Sequence, residues 1–253
     1  MILKGKIGKT YNMENLTIND VSAIMASGNY GVSYEPIIDI KNMDIVAYEA
    51  LSRFVYKGKN IAPNIFFKTI HENKNLFFYV ESVLKKFQLK HRVINKKLFI
   101  NLDPDICILE NQIEFWVGLF QKHQDVTIEI IENSDEESVE DIEHFIEWMD
   151  MYKLSYAYDD FGKPNSLFFA LLLEKSNYIK FDIHFLRTIK TQSSYIEILI
   201  GLVKYAKANF KYTILEGVET QKDLQIAKSA GVDYIQGYLF KNKFISIWNQ
   251  ETT

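Results

Sequence analysis

From Asn64 onward, segments of helical spacing and short runs of β-branched and aromatic residues take turns almost to the C-terminus. The strand-like runs are Lys97–Leu102, Val126–Ile131, Leu154–Asp159, Tyr178–Asp182, Lys211–Glu216 and Asp233–Tyr238. Helical spacing marks Asn64–Glu72, Leu76–Leu89, Asn111–Gln121, a segment opened by Ser134 and Glu137 in a capping-box pattern, Ser166–Glu174, Ser194–Phe210, and a stretch from Thr220 to Gly231. A strand that returns through a helix rejoins the sheet in its original direction, so this alternation implies a parallel sheet. Ahead of it, Gly31–Ile40 and Ile45–Phe54 flank the turn-like Lys41-Asn42-Met43-Asp44, so the first strand pair is expected to be antiparallel. Eight strands in 253 residues point to an α/β fold closed into a modified TIM (β/α)8 barrel. An open doubly wound sheet would usually carry a Gly-rich phosphate turn after its first strand, and none is present. Residues 1–16 have no period and read as an N-terminal arm, leaving 17–253 as one barrel domain, with Thr17 or Asn19 capping a first helix that Gly28 ends.

Charge and cysteine content narrow the function. The formal net charge is −4 and the basic residues are scattered, so duplex nucleic acid has no electrostatic footprint to bind. The one cysteine, Cys107, excludes an intrachain disulfide and fits a reducing compartment. The first ten residues interrupt their apolar positions with Lys and Gly, and the longest apolar run, Leu167–Leu173, is far shorter than the ~18 residues of a spanning helix. A cytoplasmic protein without a membrane segment is expected.

Functional residues of such a barrel sit at the C-terminal strand ends. There the chain places Glu49, Asn101, Glu129, Asp159 with Asp160, Lys180, Glu216 and Gln236. Singly, each has an ordinary explanation as a turn former, an outward charge or a wall residue. One on each of seven successive strand ends is a pattern those explanations do not cover. The adjacent pair Asp159-Asp160 repels itself unless a cation lies beside it, which points to divalent metal.

The residues around these positions resemble the EAL domain family, whose members hydrolyse cyclic di-GMP to the linear dinucleotide pGpG. The resemblance runs through Tyr48-Glu49-Ala50-Leu51-Ser52-Arg53, Phe99-Ile100-Asn101-Leu102, Glu129-Ile130-Ile131-Glu132, Asp159-Asp160-Phe161-Gly162, Lys180-Phe181-Asp182, Glu216-Gly217-Val218-Glu219-Thr220 and Gln236-Gly237-Tyr238, covering roughly residues 17–245. It implies that Glu49, Asn101, Glu129 and Asp159 hold one Mg2+ or Mn2+, and that Asp159 bridges to a second ion held by Asp160 and approached by Glu216. It further implies Glu216 as general base, Lys180 positioning the attacking water, Arg53 and Gln236 on the substrate, Glu219 and Tyr238 as further pocket residues, and Glu132 as a loop anchor. Ca2+ is expected to inhibit, since its longer bonds distort a two-ion site. A homodimer and a regulatory protein acting in trans belong to the same expectation.

The chain departs from the family in two places near the site. The usual Thr-Gly-Tyr-Ser-Ser after Asp-Asp-Phe-Gly is Lys163-Pro164-Asn165-Ser166-Leu167, and Glu35 stands where Gln is usual, placing another carboxylate by the ligand. A catalytically weak or inactive cyclic di-GMP receptor of the same fold is therefore the alternative, and a purely protein-binding barrel a third reading.

Overall fold

A computed structural model describes residues 16–130, 138–164 and 168–249. In chain order the elements are α1 Ile18–Ala26, β1 Tyr30–Asp39, β2 Ile45–Tyr56, β3 Lys59–Ile61, α2 Pro63–Ile70, α3 Lys74–Lys90, β4 Lys97–Leu102, α4 Glu110–Phe120, β5 Val126–Ile130, α5 Ser138–Met151, β6 Ser155–Phe161, α6 Ala170–Lys175, β7 Tyr178–Phe181, α7 His184–Thr191, α8 Ile196–Ala208, β8 Tyr212–Leu215, α9 Gln221–Ala230, β9 Tyr234–Ile235 and β10 Ile245–Trp248. They divide between two compact units, one of residues 34–50 and 93–244, the other of residues up to 33, 51–92 and 245 onward.

The larger unit holds the barrel. Strands β4 to β9 are parallel neighbours in sequence order, β2 lies parallel to β4, and β1 lies antiparallel to β9. A β1–β2 pairing closes the ring of eight, and these directions make that pair antiparallel, as the hairpin composition predicts. The hairpin turns with Asp39 N–H bonded to the Asp44 carbonyl and Met43 at φ 63.

Side-chain alternation within the strands sorts the barrel interior by height. Ile37, Ala47, Phe99, Ala157, Tyr178 and Ile214 form one buried cluster. Two residues further along the parallel strands, the same inward parity delivers Glu49, Asn101, Asp159, Lys180 and Glu216 to the C-terminal end. An apolar plug thus floors a polar mouth.

In the smaller unit β3 pairs with the end of β2, Phe54 opposite Ile61, and the Phe54 and Phe66 rings stack 3.6 Å apart. Helix α1 opens with a capping box in which Thr17 and Asp20 bond reciprocally. The predicted arm lies almost wholly outside the described residues, as do Ser134, Glu137 and Glu132.

The structure adds elements that the sequence reading leaves as loop: β3, β10 and α7. It starts α6 at Ala170, with the predicted start at Ser166 outside the described residues, and carries β6 two residues past Asp159.

Candidate active site

Lys180 is the centre of the polar mouth. Its Nζ lies 2.5 Å from Glu129 Oε1, 2.7 Å from Asp159 Oδ1, 2.8 Å from Glu216 Oε1 and 3.5 Å from Glu49 Oε2, and its side chain is 1% exposed. Asn101 Nδ2 donates to Glu49 Oε1 and Glu129 Oε2, each at 3.1 Å, and Gln236 Nε2 donates to Glu49 Oε2 at 2.6 Å. Four carboxylates from four strands therefore converge on a single buried ammonium.

Asp160 reaches the same site by a local irregularity. On a regular strand adjacent residues point to opposite faces, so Asp159 and Asp160 could not share a cation. Between Tyr158 and Phe161 the β6–β7 register shifts, and Asp160 takes a left-handed φ of 52. Oxygens of Asp159, Asp160 and Glu216 then lie within 4.8 Å of one another, as do those of Glu49, Glu129 and Asp159. Two acidic triads share Asp159.

The charges do not balance. Burial pulls the Lys180 ammonium down, but Asp159, Glu129, Glu216 and Glu49 outweigh it and hold the ammonium well above the usual lysine range. Burial pushes Glu129 well above the usual carboxylate range, with the Glu49 charge adding to the effect. Burial raises Asp159 to about 6, against the opposing pull of Lys180, with Asp160 pushing the same way as burial. Glu216 is likewise raised by burial more than Lys180 lowers it. Glu49 alone goes down: Lys180, Gln236 and Asn101 together overcome its burial. One buried cation is too few for this many acids, so the site takes up protons or further cations.

The EAL domain family pattern matches residues 18–243. The chain belongs to the EAL domain family. Among curated relatives, cyclic di-GMP phosphodiesterase TpdA of Vibrio parahaemolyticus is 25% identical over 225 residues, 88% of this chain and 39% of that protein. This chain spans less than half the length of that relative and of the next two curated relatives it matches. Among solved structures, Bacillus subtilis YkuI in complex with cyclic di-GMP and calcium superposes with TM-score 0.72 at 23% identity, covering 87% of this chain and 57% of that one. A Klebsiella pneumoniae protein solved with manganese and cyclic di-GMP superposes with TM-score 0.71 at 19% identity, covering 88% and 57%. At these identities the likeness establishes the barrel fold.

The donor chemistry of this EAL domain fits divalent metal. Each triad offers hard carboxylate oxygens close enough to share an ion, and the unbalanced negative charge is what such an ion would neutralise. Asn101 currently presents its amide nitrogen to two carboxylates; turning the amide over would present its oxygen instead.

Beside the triads opens a cleft of about 270 Å3 lined by Glu35, Glu49, Glu216, Glu219, Gln236 and Tyr238, with Asp182 and Ile183 from the β7–α7 turn. Its glycines are structural necessities: Gly217 has φ 68 and a Cβ there would collide with Ile183, while a Cβ on Gly237 would strike the Val218 backbone. Arg53 belongs to the smaller unit, where its Nη1 donates to the Ser52 carbonyl at 3.0 Å.

Two side chains escape the sequence reading. Asp182 enters the cleft wall while its Oδ1 accepts from the His184 N–H at 2.7 Å, starting α7. Lys163 Nζ pairs with Asp160 Oδ2 at 2.6 Å. The Asp182 signal was present in the Lys180-Phe181-Asp182 run; the Lys163 contact depends on the left-handed turn at Asp160.

Proposed function

We propose that this EAL domain hydrolyses cyclic di-GMP to linear pGpG with two divalent ions, Mg2+ or Mn2+, one in each triad. The observation that carries the reading is the pair of acidic triads sharing Asp159 around the buried Lys180. The names of the curated relatives and the fold support it. When bound, such ions stabilise charge on phosphoryl oxygens and acidify a bound water. The chain's own groups do the rest. Glu216, at the rim of the cleft, accepts a proton from the attacking water. Attack at phosphorus breaks the bond to the 3′ oxygen, which takes a proton from solvent to end as a hydroxyl, and Glu216 returns to solvent the proton it received. Lys180, by its pairing with Glu129, Asp159 and Glu216, keeps the carboxylates convergent, and its assignment to the attacking water rests on the resemblance and requires one of those three N–H groups to exchange its carboxylate for the water. Gln236 fixes Glu49. The exposed ring of Tyr238 offers a stacking face for a base, and Glu35 and Glu219 offer acceptors to its N–H edge. Arg53 is assigned to a phosphate on the resemblance alone. Glu132 is retained as loop anchor on the resemblance alone.

An acidic cleft repels a dianionic dinucleotide unless cations occupy it, so turnover should be strictly metal-dependent. The test is incubation with cyclic di-GMP and Mg2+ or Mn2+, chromatography of products, and a parallel Glu216→Gln sample. pGpG from the parent and none from the variant is expected; equal turnover by both would remove Glu216 from the reaction. Ca2+ should bind and suppress the product.

The Lys163–Asp160 pair favours a second reading. An ammonium already held at the outer triad competes with the second ion, which would leave a receptor that binds cyclic di-GMP without cleaving it. Stoichiometric binding with intact ligand recovered after long incubation with metal would select it.

A further inference from the structure

The strand alternation that lifts Asn101, Lys180 and Glu216 to one end of the barrel also decides what stands at the other. Lys97, Tyr178, Tyr212 and Tyr234 are the first residues of β4, β7, β8 and β9. They border a cavity of about 160 Å3 that reaches the apolar plug at Phe99 and Ala47. The rings run in series, Tyr178 stacked on Tyr212 with centroids 5.3 Å apart and Tyr212 against Tyr234 at 5.7 Å, while Phe99 meets Tyr178 edge-on at 5.0 Å. Lys97 Nζ donates to the Tyr178 hydroxyl at 2.9 Å and lies 5.5 Å from that ring's centroid.

Donors outnumber acceptors in the unused hydrogen-bonding capacity here, because the ammonium can only donate while each phenol hydroxyl can do either. Among the described residues the Lys97 ammonium has no carboxylate partner and one acceptor, so two of its N–H groups lack a protein acceptor. The Tyr212 and Tyr234 hydroxyls have no hydrogen-bond partner among those residues either. Burial, then the neighbouring phenols and the Asp233 and Asp39 charges, push Tyr234 up to about 12, so its hydroxyl stays a donor at neutral pH. The two acids that act on Tyr234 are already engaged: Asp233 accepts from Thr213 N–H and Oγ1 at 2.9 and 2.7 Å, and Asp39 from Lys41 N–H at 2.7 Å.

We propose that this end of the barrel binds a small planar aromatic anion, of the arene carboxylate class. The rings supply flat stacking faces, the ammonium and hydroxyls supply donors, and a space of roughly 150 Å3 suffices for one benzene ring. A cationic ligand is disfavoured because Lys97 already lies against the Tyr178 ring and would repel it. The site is separated from the acidic triads by the apolar plug, and its existence does not depend on the nucleotide reading.

The full chain is titrated with benzoate, cyclohexanecarboxylate and benzylammonium by protein NMR, with chelator present so that benzoate has no metal to ligate. Saturable benzoate binding in the millimolar range is expected, with shifts at the Tyr178, Tyr212 and Tyr234 rings. Cyclohexanecarboxylate should bind more weakly and benzylammonium should not saturate. Lys97→Met should weaken benzoate about tenfold, one charge-assisted bond's worth. Should that variant misfold, Tyr212→Leu takes its place, since the ring is 48% exposed and its loss removes a stacking face. Benzylammonium binding as tightly as benzoate, unchanged affinity in the folded variant, or no saturation by benzoate would each overturn the proposal.

Discussion

Lys180 carries a disproportionate share of the site's electrostatics, because four acids lean on one ammonium that water does not reach. Lys180→Met leaves those acids facing one another. Breaking a buried ion pair costs about 3 kcal/mol or more, which in a chain of this size lowers Tm by about 6 to 12 °C. The loss should shrink when Mn2+ is added, since the ion restores positive charge; thermal unfolding with and without metal checks both halves. Lys163→Ala should act differently. The pair it forms with Asp160 is exposed, and such pairs contribute about 0 to 1 kcal/mol, so Tm should hardly move. Freed of its ammonium, Asp160 should bind the second ion more tightly, and Mn2+ titration calorimetry should show a gain of about tenfold at that step. The sequence alone shows Lys163 as a departure after Asp-Asp-Phe-Gly. Its partner was not legible there, because the contact needs the left-handed Asp160 to aim a carboxylate back along the turn.

Element boundaries are where local chemistry and tertiary context part company. Sequence offers Thr17 or Asn19 for α1 and Thr220 with Gly231 for α9; the structure selects Thr17, pairs it with Asp20, pairs Thr220 with Asp223, and closes α9 with Gly231 in the left-handed conformation. Hydrogen bonds from Thr17 hold Asp20 down to about 2, and Asp223, despite its burial, is held below the usual range by Lys190, Thr220 and two backbone N–H groups. Both folded values lie below the unfolded one. Their stabilising contribution is therefore complete above the unfolded value near pH 4 and drains away as pH falls toward 2. Urea unfolding at stepped pH should show that acid limb, and Asp223→Asn should flatten it. Helix α7 was legible in principle, since Phe185, Leu186 and Ile189 are spaced for one buried face. The strands β3 and β10 were not: segments so short gain their identity only from a partner strand.

At the scale of the molecule, the larger unit gathers an excess of acid at one end of its barrel, and anything that binds the folded state there stabilises it. Mn2+ at about a hundred times its Kd should add about 2.7 kcal/mol and raise Tm by about 5 to 10 °C, reversibly with chelator. Ca2+ should stabilise as well while failing to support turnover. No helix among the described residues is long and apolar enough to cross a membrane. The sequence by itself determined the strand-and-helix alternation, the antiparallel opening pair, and which side chains reach the strand ends, because period and parity are properties of the local chain. Tertiary structure alone decided that four of those acids meet on Lys180, that a slipped register turns Asp160 toward Asp159, and that Lys97 and three tyrosines ring the opposite end. Each depends on the distance between strands remote in sequence, which closure of the barrel sets and local pattern does not encode.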